Sequence, residues 1–483
     1  MNTGKRNLII VGAAIVVLGG ATAALMLTGN GKDNAGSAVS SPDSIQLVTK
    51  KEEDIVSMTV KNKAGSYTLI PVKKPMAGAA STAPEDMVTV YSVKGLESFD
   101  IDTASTDQVV RNGYSLSATK NLGAVTNLEQ YGLQDPQAVV KVSFKDGSQY
   151  NYKIGNASAT DSTAYYMCGE NSNNVYIVTL DSGILQDERH FINKNMLAIT
   201  NSGKDNDYTD IKLSGKNFPQ PIVTKKESDG FYMSAPIHSG LDDNKVAAVQ
   251  NALTSLVADS VEAVHPDEAA LKKYGLDAPA AVVEFTVNNE KHKVMVGAKN
   301  GSQYYAAFDP TKTVYLVKAS DVSAWAETSA FTLRNKLLLL PMIDSLKSIA
   351  VEKGTASSAV TVQRTKDEKK STQDKPEYTY KVLSQDNKEL DYEKSYKSFF
   401  ISLISLETLE DANAKPSGTP AYRVTYSYFD KNSTDTIEFY RSSDRRYTAV
   451  VNGEVFGTVV SSEVDKVLDK YEQLQTGKAV TAE

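Results

Sequence analysis

The chain has 483 residues with 41% hydrophobic and 23% charged content, the balance of a folded globular protein and too long for one core, so about three domains are expected. A net charge of −7, with both signs mixed along the chain, argues against a nucleic-acid partner, which needs clustered Lys and Arg. Cys168 stands alone, which excludes a disulfide framework or a thiolate metal cluster built within one chain.

From the start, Lys5 and Arg6 precede an uncharged run from Leu8 to Thr28. That run is long enough to cross a bilayer core of about 30 Å as a helix. The two cations favour a cytoplasmic N-terminus (residues 1–7), which puts the bulk of the chain outside the cell membrane in a single-pass arrangement. A cleavable signal peptide is the rival, with Ala21-Thr22-Ala23 as a small-x-small cleavage site. The apolar character continuing through Leu25-Met26-Leu27 favours a retained anchor over residues 8–28. No Cys lies directly after this segment to carry a lipoprotein acyl group. Asn30 to Ser44, poor in large apolar residues, reads as a flexible tether, giving a linker over 29–44.

The first folded unit is expected over 45–200. Ile55 to Val60 and Tyr67 to Val72 flank a turn at Ala64-Gly65 and read as a hairpin, followed by a loop from Met76 to Asp86. A helix is expected within Thr106 to Leu122, weakened by Gly113. Val140, Val142 and Phe144 alternate with Lys141 and Ser143, predicting a strand with one buried and one wet face. Asp146-Gly147 turns this strand into Tyr150–Ile154, and two short strands follow at Ala164–Cys168 and Val175–Thr179.

The second unit, 201–344, opens with strands at Ile211–Leu213 and Phe231–Met233. Val246, Val249, Leu253, Leu256, Val257, Val261 and Val264 then step by three and four, predicting one amphipathic helix with Asp242-Asp243 at its N-cap. Val283, Phe285 and Val287 repeat the earlier alternation. The third unit, 345–483, carries strands at Val360–Val362 and Tyr378–Val382 and a helix bearing Tyr396, Phe399, Phe400 and Leu403. It then carries an alternating Tyr422-Val424-Tyr426-Tyr428 strand, a hairpin at Asn452-Gly453 and a closing helix over Val464–Leu474.

A repeat organises these units. Tyr131-Gly132-Leu133-Gln134-Asp135-Pro136-Gln137-Ala138-Val139-Val140 returns as Tyr274-Gly275-Leu276-Asp277-Ala278-Pro279-Ala280-Ala281-Val282-Val283, identical at seven of ten positions. The likeness continues in order: Ile154-Gly155 with Val296-Gly297, Tyr165-Tyr166 with Tyr304-Tyr305, and Val175-Tyr176 with Val314-Tyr315. The expected fold class is therefore α+β: three tandem units, the third degenerate, each a helix packed on an antiparallel β-meander, after an N-terminal transmembrane helix. Gly132 and Gly275 permit positive φ, and Pro136 and Pro279 end the turn before the strand, so the motif reads as structural punctuation.

No catalytic signature emerges. His190, His238, His265 and His292 lack ligand spacing, no nucleophile elbow, phosphate loop or dinucleotide fingerprint occurs, and no cofactor or metal is expected. The paired Tyr165-Tyr166 and Tyr304-Tyr305 read first as core and cross-strand rings, and second as aromatics facing a partner or glycan.

The anchor, the Y-G-L-x-x-P turn and the ordered strands after it resemble a bacterial domain-of-unknown-function family of exported, membrane-anchored proteins with repeated α+β units. Members of that family resemble auxiliary components of ABC-type transporters of the gliding-motility-like kind. The resemblance implies a non-enzymatic extracytoplasmic binding or scaffold subunit beside an ABC-type permease complex in the bacterial envelope. It supplies no catalytic residues. The alternative is a wall-associated, ligand- or glycan-binding protein released by signal cleavage.

Overall fold

The computed structural model describes residues 44–75, 87–159, 161–228, 230–309, 311–369, 371–372, 376–412 and 414–480. The expected anchor at 8–28, the tether and the loop from Met76 to Asp86 lie outside them. In chain order the first elements are β1 (Ile45–Thr49), β2 (Ile55–Asn62), β3 (Ser66–Pro75), β4 (Met87–Val93), α1 (Thr103–Tyr114) and β5 (Ser115–Ala124). Next come β6 (Ala138–Phe144), β7 (Gln149–Ser158), β8 (Asp161–Gly169), β9 (Asn174–Thr179) and β10 (Asn195–Ala198).

The middle of the chain holds β11 (Tyr208–Ser214), β12 (Ile222–Glu227), β13 (Gly230–Ala235), β14 (Ser239–Gly240), α2 (Asp243–Thr254), β15 (Ser255–Val257), β16 (Ser260–Val264) and α3 (Glu268–Tyr274). A second meander follows, β17 (Ala281–Val287), β18 (Glu290–Asn300), β19 (Gln303–Ala307) and β20 (Thr313–Lys318), then α4 (Ala319–Ala326) and α5 (Ala330–Leu333). The last part holds β21 (Leu346–Lys353), β22 (Ala356–Lys366), β23 (Tyr378–Leu383), β24 (Glu389–Leu390) and α6 (Lys397–Ile404). It ends with β25 (Tyr422–Tyr428), β26 (Thr434–Ser443), β27 (Arg446–Val451), β28 (Glu454–Val460) and α7 (Ser461–Gln475).

The chain divides into two compact units. The smaller comprises the described residues up to Val56 and Arg111–Asp181; the larger comprises Ser57–Val110 and the described residues from Ser182 onward. In the smaller unit the strands lie in the order β1-β5-β9-β8-β7-β6, all antiparallel. Val140, Val142 and Phe144 are buried on one face of β6, while Lys141 is exposed. The Tyr152 side chain, opposite Val140 on β7 and buried on the same face, donates its hydroxyl to the Asn112 carbonyl at 3.1 Å, so the ring is buried without leaving its polar end unmet.

The larger unit opens with the β2-β3-β4 ribbon, whose turn is closed by Asn62 N–H to Gly65 O at 2.9 Å. Its main body is two large antiparallel sheets. One has the order β14-β13-β12-β11-β17-β18-β19-β20-β16 and the other β24-β23-β22-β21-β25-β26-β27-β28. The second sheet buries Ile349, Val360, Val382, Tyr426 and Phe439 against Phe399, Phe400 and Leu403 of α6 and Tyr471 and Leu474 of α7. Asn452 and Gly453 hold φ of 49° and 87°, the paired positive values of a tight hairpin turn between β27 and β28.

This architecture corrects the expected fold class. Of the described residues 47% are strand and 21% helix, so the described part is mostly antiparallel sheet and not a set of helix-on-meander repeats. Among the described residues no helix is long and apolar enough to cross a membrane. The physical reason lies in the edges of the meander. β11 pairs along β17, with Ile211 opposite Phe285 and Leu213 opposite Val283, while β16 pairs with β20 at the other end. Flanking strands satisfy those open edges and widen the sheet to nine strands.

The expected amphipathic helix is not the one that covers the meander: α2 packs on α4, α4 lies against β17 and β20, and α3, which runs into the turn, touches β18. The long stripe from Val246 to Val264 also splits. Asp242 caps α2 by accepting from Asn244 N–H at 3.0 Å and Lys245 N–H at 3.2 Å, but the helix ends at Thr254. Beyond it, Leu256 is buried and Val257 is 51% exposed in β15, so β-branched residues spaced by three and four there serve a period of two. The same happens after α1, where Ser115–Ala124 is a strand instead of the tail of a helix.

The α6 face gives a direct test of the packing. Phe399 is fully buried and Ile401, two residues on, is 54% exposed. Phe399→Ala is expected to lower unfolding free energy by about 3–5 kcal/mol, and Ile401→Ala to change it by no more than about 0.5 kcal/mol. Urea denaturation of both variants reads the contrast; equal losses would contradict the assigned face.

Candidate functional site

The Tyr-Gly-Leu segments close their helical turns in the same way. Gly132 and Gly275 both hold φ 68° in the left-handed region. The N–H of Leu133 donates to Leu128 O and that of Leu276 to Leu271 O, each at 3.0 Å. The glycine N–H groups donate to Glu129 O at 2.9 Å and Lys272 O at 3.1 Å. This is the paired six-to-one and five-to-two bonding that satisfies the last carbonyls of a helical turn. Each turn then lies on the first hairpin of its meander. A Cβ added at Gly155 would collide with the Tyr131 carbonyl oxygen, and one at Gly297 with the Tyr274 carbonyl oxygen.

The leucines seat beneath. Leu133 packs with Cys168 and Val175, and Leu276 with Met295, Ala307 and Val314. Burial pushes the Cys168 thiol above its ordinary value, which suits a small core side chain more than a reactive one. Pro136 and Pro279 are half-buried where the turn enters the strand.

The paired tyrosines largely serve these junctions. Tyr131 meets Tyr166 edge-on with centroids 4.9 Å apart, and Tyr274 meets Tyr305 at 4.6 Å. Tyr304 is buried, with its hydroxyl donating to Glu327 at 2.6 Å while Lys299 pairs with the same carboxylate at 2.8 Å. Tyr165 is half-buried in β8, opposite Val178. The structure brings the motif residues together within each turn, and the second ring of each tyrosine pair packs on the turn's own tyrosine.

A different place in the larger unit forms a concave groove, and sequence reasoning missed it. A groove of about 600 Å³ is lined by Phe218, Ile222, Ile237, Phe331 and Val455, with Arg334 and Asp411 as its charged residues. The lining segments are pinned by backbone. Ser329 caps α5 by accepting from Thr332 N–H at 3.0 Å, Arg334 bridges Leu241, and Glu410 bridges Thr458. The guanidinium of Arg334, only 2% exposed, lies 4.1 Å from the Phe456 ring centroid and 4.9 Å from that of Phe331. Its Nη2–H donates to the Phe456 carbonyl, while Nε–H is buried with no acceptor among the described residues. Gly457 holds φ 133°, and a Cβ there would stand 3.0 Å from Nη2 and 2.7 Å from Glu410 O, so a side chain at this position would crowd the guanidinium.

Lys336 adds a second cation, over the Phe331 ring and donating to the Phe331 carbonyl. Burial pushes Arg334 down to about 10, opposed by the charge of Asp411. Burial, then the charge of Arg334, pushes Lys336 down to about 8. The signal available in sequence was two cations, Arg334 and Lys336, inside the apolar run from Phe331 to Leu340. Among the described residues no His, Cys, Asp and Glu cluster is arranged to hold a metal ion.

Two tests follow from these geometries. Gly297→Ala is expected to cost about 1–3 kcal/mol or more through its collision with the Tyr274 carbonyl. Gly240→Ala, whose Cβ meets nothing closer than 3.8 Å, should change stability by no more than about 0.5 kcal/mol. Lys336 offers a titration. Between about pH 8 and 10 the unfolded chain binds a proton there that the folded chain does not, so through this group stability rises with pH. Melting temperatures of the wild type and Lys336→Met across that window should therefore diverge in the wild type's favour as pH rises; a constant difference would remove the group from the account.

The family model described as domain of unknown function (DUF4340) matches twice, over residues 98–263 and 232–425, the first span holding the β6–β9 meander and the second β17–β20. No curated protein and no solved structure matches the chain. With the two spans covering well over half of its length, the chain belongs to the DUF4340 family.

Proposed function

We propose that this chain is a non-enzymatic binding or scaffold protein, tethered to the cell membrane by residues 8–28, with its folded bulk extracytoplasmic. In this reading it serves as an auxiliary subunit beside an ABC-type permease complex. The observation that carries the binding role is the groove around Arg334: a concave, mostly apolar lining with one buried cation, the make-up of a site that holds a molecule. Ser329, a hydroxyl in that lining, is engaged in capping α5 and in a 2.9 Å hydrogen bond with Thr332 Oγ1, so it is not poised as a nucleophile. The extracytoplasmic placement is supported by Lys5 and Arg6 ahead of the Leu8–Thr28 run. The transporter association is supported by resemblance alone, through the turn and strand order shared by the two meanders.

Crosslinking the native full-length chain in its membrane, with identification of what is recovered and sequencing of the mature N-terminus, tests both parts. Recovery of a permease or its ATPase with the N-terminal run retained is the expected outcome. A mature chain starting near residue 24, or recovery of wall polymer alone, would overturn the tethered reading in favour of a released binding protein.

A further inference from the structure

We propose that the Arg334 groove binds a small, soluble organic anion, its charged head paired with the Arg334 guanidinium and its apolar body laid along Phe218, Ile222, Ile237 and Val455. This rests on the reading of the chain as a binding protein and names the class of ligand. The argument begins with donors. A guanidinium presents five N–H groups in a planar fork, and among the described residues Arg334 places one of them on a protein acceptor, the Phe456 carbonyl. Nε–H has none, and the side chain is 98% removed from solvent by its 2% exposure. Buried charge of this kind is ordinarily matched by a carboxylate or by several carbonyls. The Phe331 and Phe456 rings hold the guanidinium by their faces but accept little of its hydrogen bonding.

The surrounding charge selects the sign of the ligand. Asp411 is the carboxylate whose charge reaches Arg334, while Lys336 feels Arg334 and Lys245 against Asp411 and Asp242, so the cations outnumber the carboxylates by three to two. Asp411 is exposed at the rim and closes no ion pair with Arg334 within 4.0 Å among the described residues. The unmatched fork suits a carboxylate or phosphate monoester, which accepts two parallel N–H bonds. The apolar lining gives the remainder of such a ligand a place to lie. At about 600 Å³ the groove falls within the range, roughly 300–1,000 Å³, that takes drug-sized molecules.

The test is isothermal titration of the full-length chain in zwitterionic lipid nanodiscs with 4-phenylbutyrate, its neutral counterpart 4-phenylbutanol, and inorganic phosphate. 4-Phenylbutyrate is expected to bind at least tenfold more tightly than the alcohol and than phosphate. Arg334→Gln should erase the preference over the alcohol, and Asp411→Asn, at an exposed position, should strengthen carboxylate binding severalfold by removing the competing charge. Absence of 4-phenylbutyrate binding, equal binding of the alcohol, or a preference surviving in Arg334→Gln would overturn the proposal. Phosphate binding as tightly as 4-phenylbutyrate would remove the apolar seat, and competition by phosphatidylglycerol added to the discs would replace the soluble ligand with a lipid. Should Arg334→Gln lose its fold by circular dichroism, Asp411→Asn decides: unchanged affinity refutes the assignment. Permease capture without anion binding sinks this inference alone, whereas anion binding without permease capture sinks only the partner assignment.

Discussion

Two backbone carbonyls, those of Tyr131 and Tyr274, lie where a Cβ on Gly155 or Gly297 would have to be, and much of the surrounding order follows from that contact. A helical turn can approach a strand so closely only if the strand offers a residue with no side chain and the turn ends in a left-handed residue that redirects the chain. Gly132 and Gly275 supply the second condition at φ 68°, which an L-residue with a Cβ meets at a cost of about 1–2 kcal/mol. Once the turn is seated, the next side chain has one direction available, and Leu133 and Leu276 are driven into the layer beneath. The tyrosine ahead of each glycine closes the junction against the second ring of the paired tyrosines. Three separated sequence features, the Tyr-Gly-Leu segment, the strand glycine and the paired tyrosines, are thus one interlock, present twice.

The interlock also explains why part of the fold was legible in the sequence and part was not. Period-two alternation in Val140-Val142-Phe144 and Val283-Phe285-Val287 identifies strands with one buried face, and the backbone places them so. Asn452-Gly453 and Asp242 declare a turn and a cap through their own side-chain chemistry. The breadth of the sheets has no such local marker. Whether β11 joins β17, or β16 joins β20, is decided by unpaired backbone groups at an edge, and every sequence has those. The stripe from Val246 to Val264 shows the ambiguity at one site: residues three and four apart fit a helix, yet Leu256 in and Val257 out also fit a strand, and pairing with β10 decides. Tertiary context outweighs propensity differences of a few tenths of a kcal/mol per residue.

The groove was hidden for a stronger reason. Its parts come from the loop before β12, from α5 and the chain after it, from Asp411, and from β28, segments far apart in the sequence. An arginine in an apolar run is visible in the sequence, but whether it reaches water, a carboxylate or an aromatic cage depends on what folds over it. Here Phe331 and Phe456 fold over it, and Gly457 leaves the space.

The energetics of Arg334 bear on why the groove is more than a packing detail. Removing an ion of this size from water costs several kcal/mol even after relaxation. The contacts in hand are one charge-assisted hydrogen bond, worth about 1.5–3 kcal/mol, and two ring faces, each about 2 kcal/mol when desolvated. These contacts offset much of that cost but not all of it: burial still lowers the proton affinity to about 10, and the group stays charged at neutral pH. A leucine or methionine of similar volume would fill the same space without the desolvation cost, and such replacements of buried charge are commonly neutral or stabilising. Folding alone therefore does not require a cation at this position. What a cation adds is a fork of donors at the floor of an apolar groove, and an acceptor entering that groove would tip the balance toward the bound state.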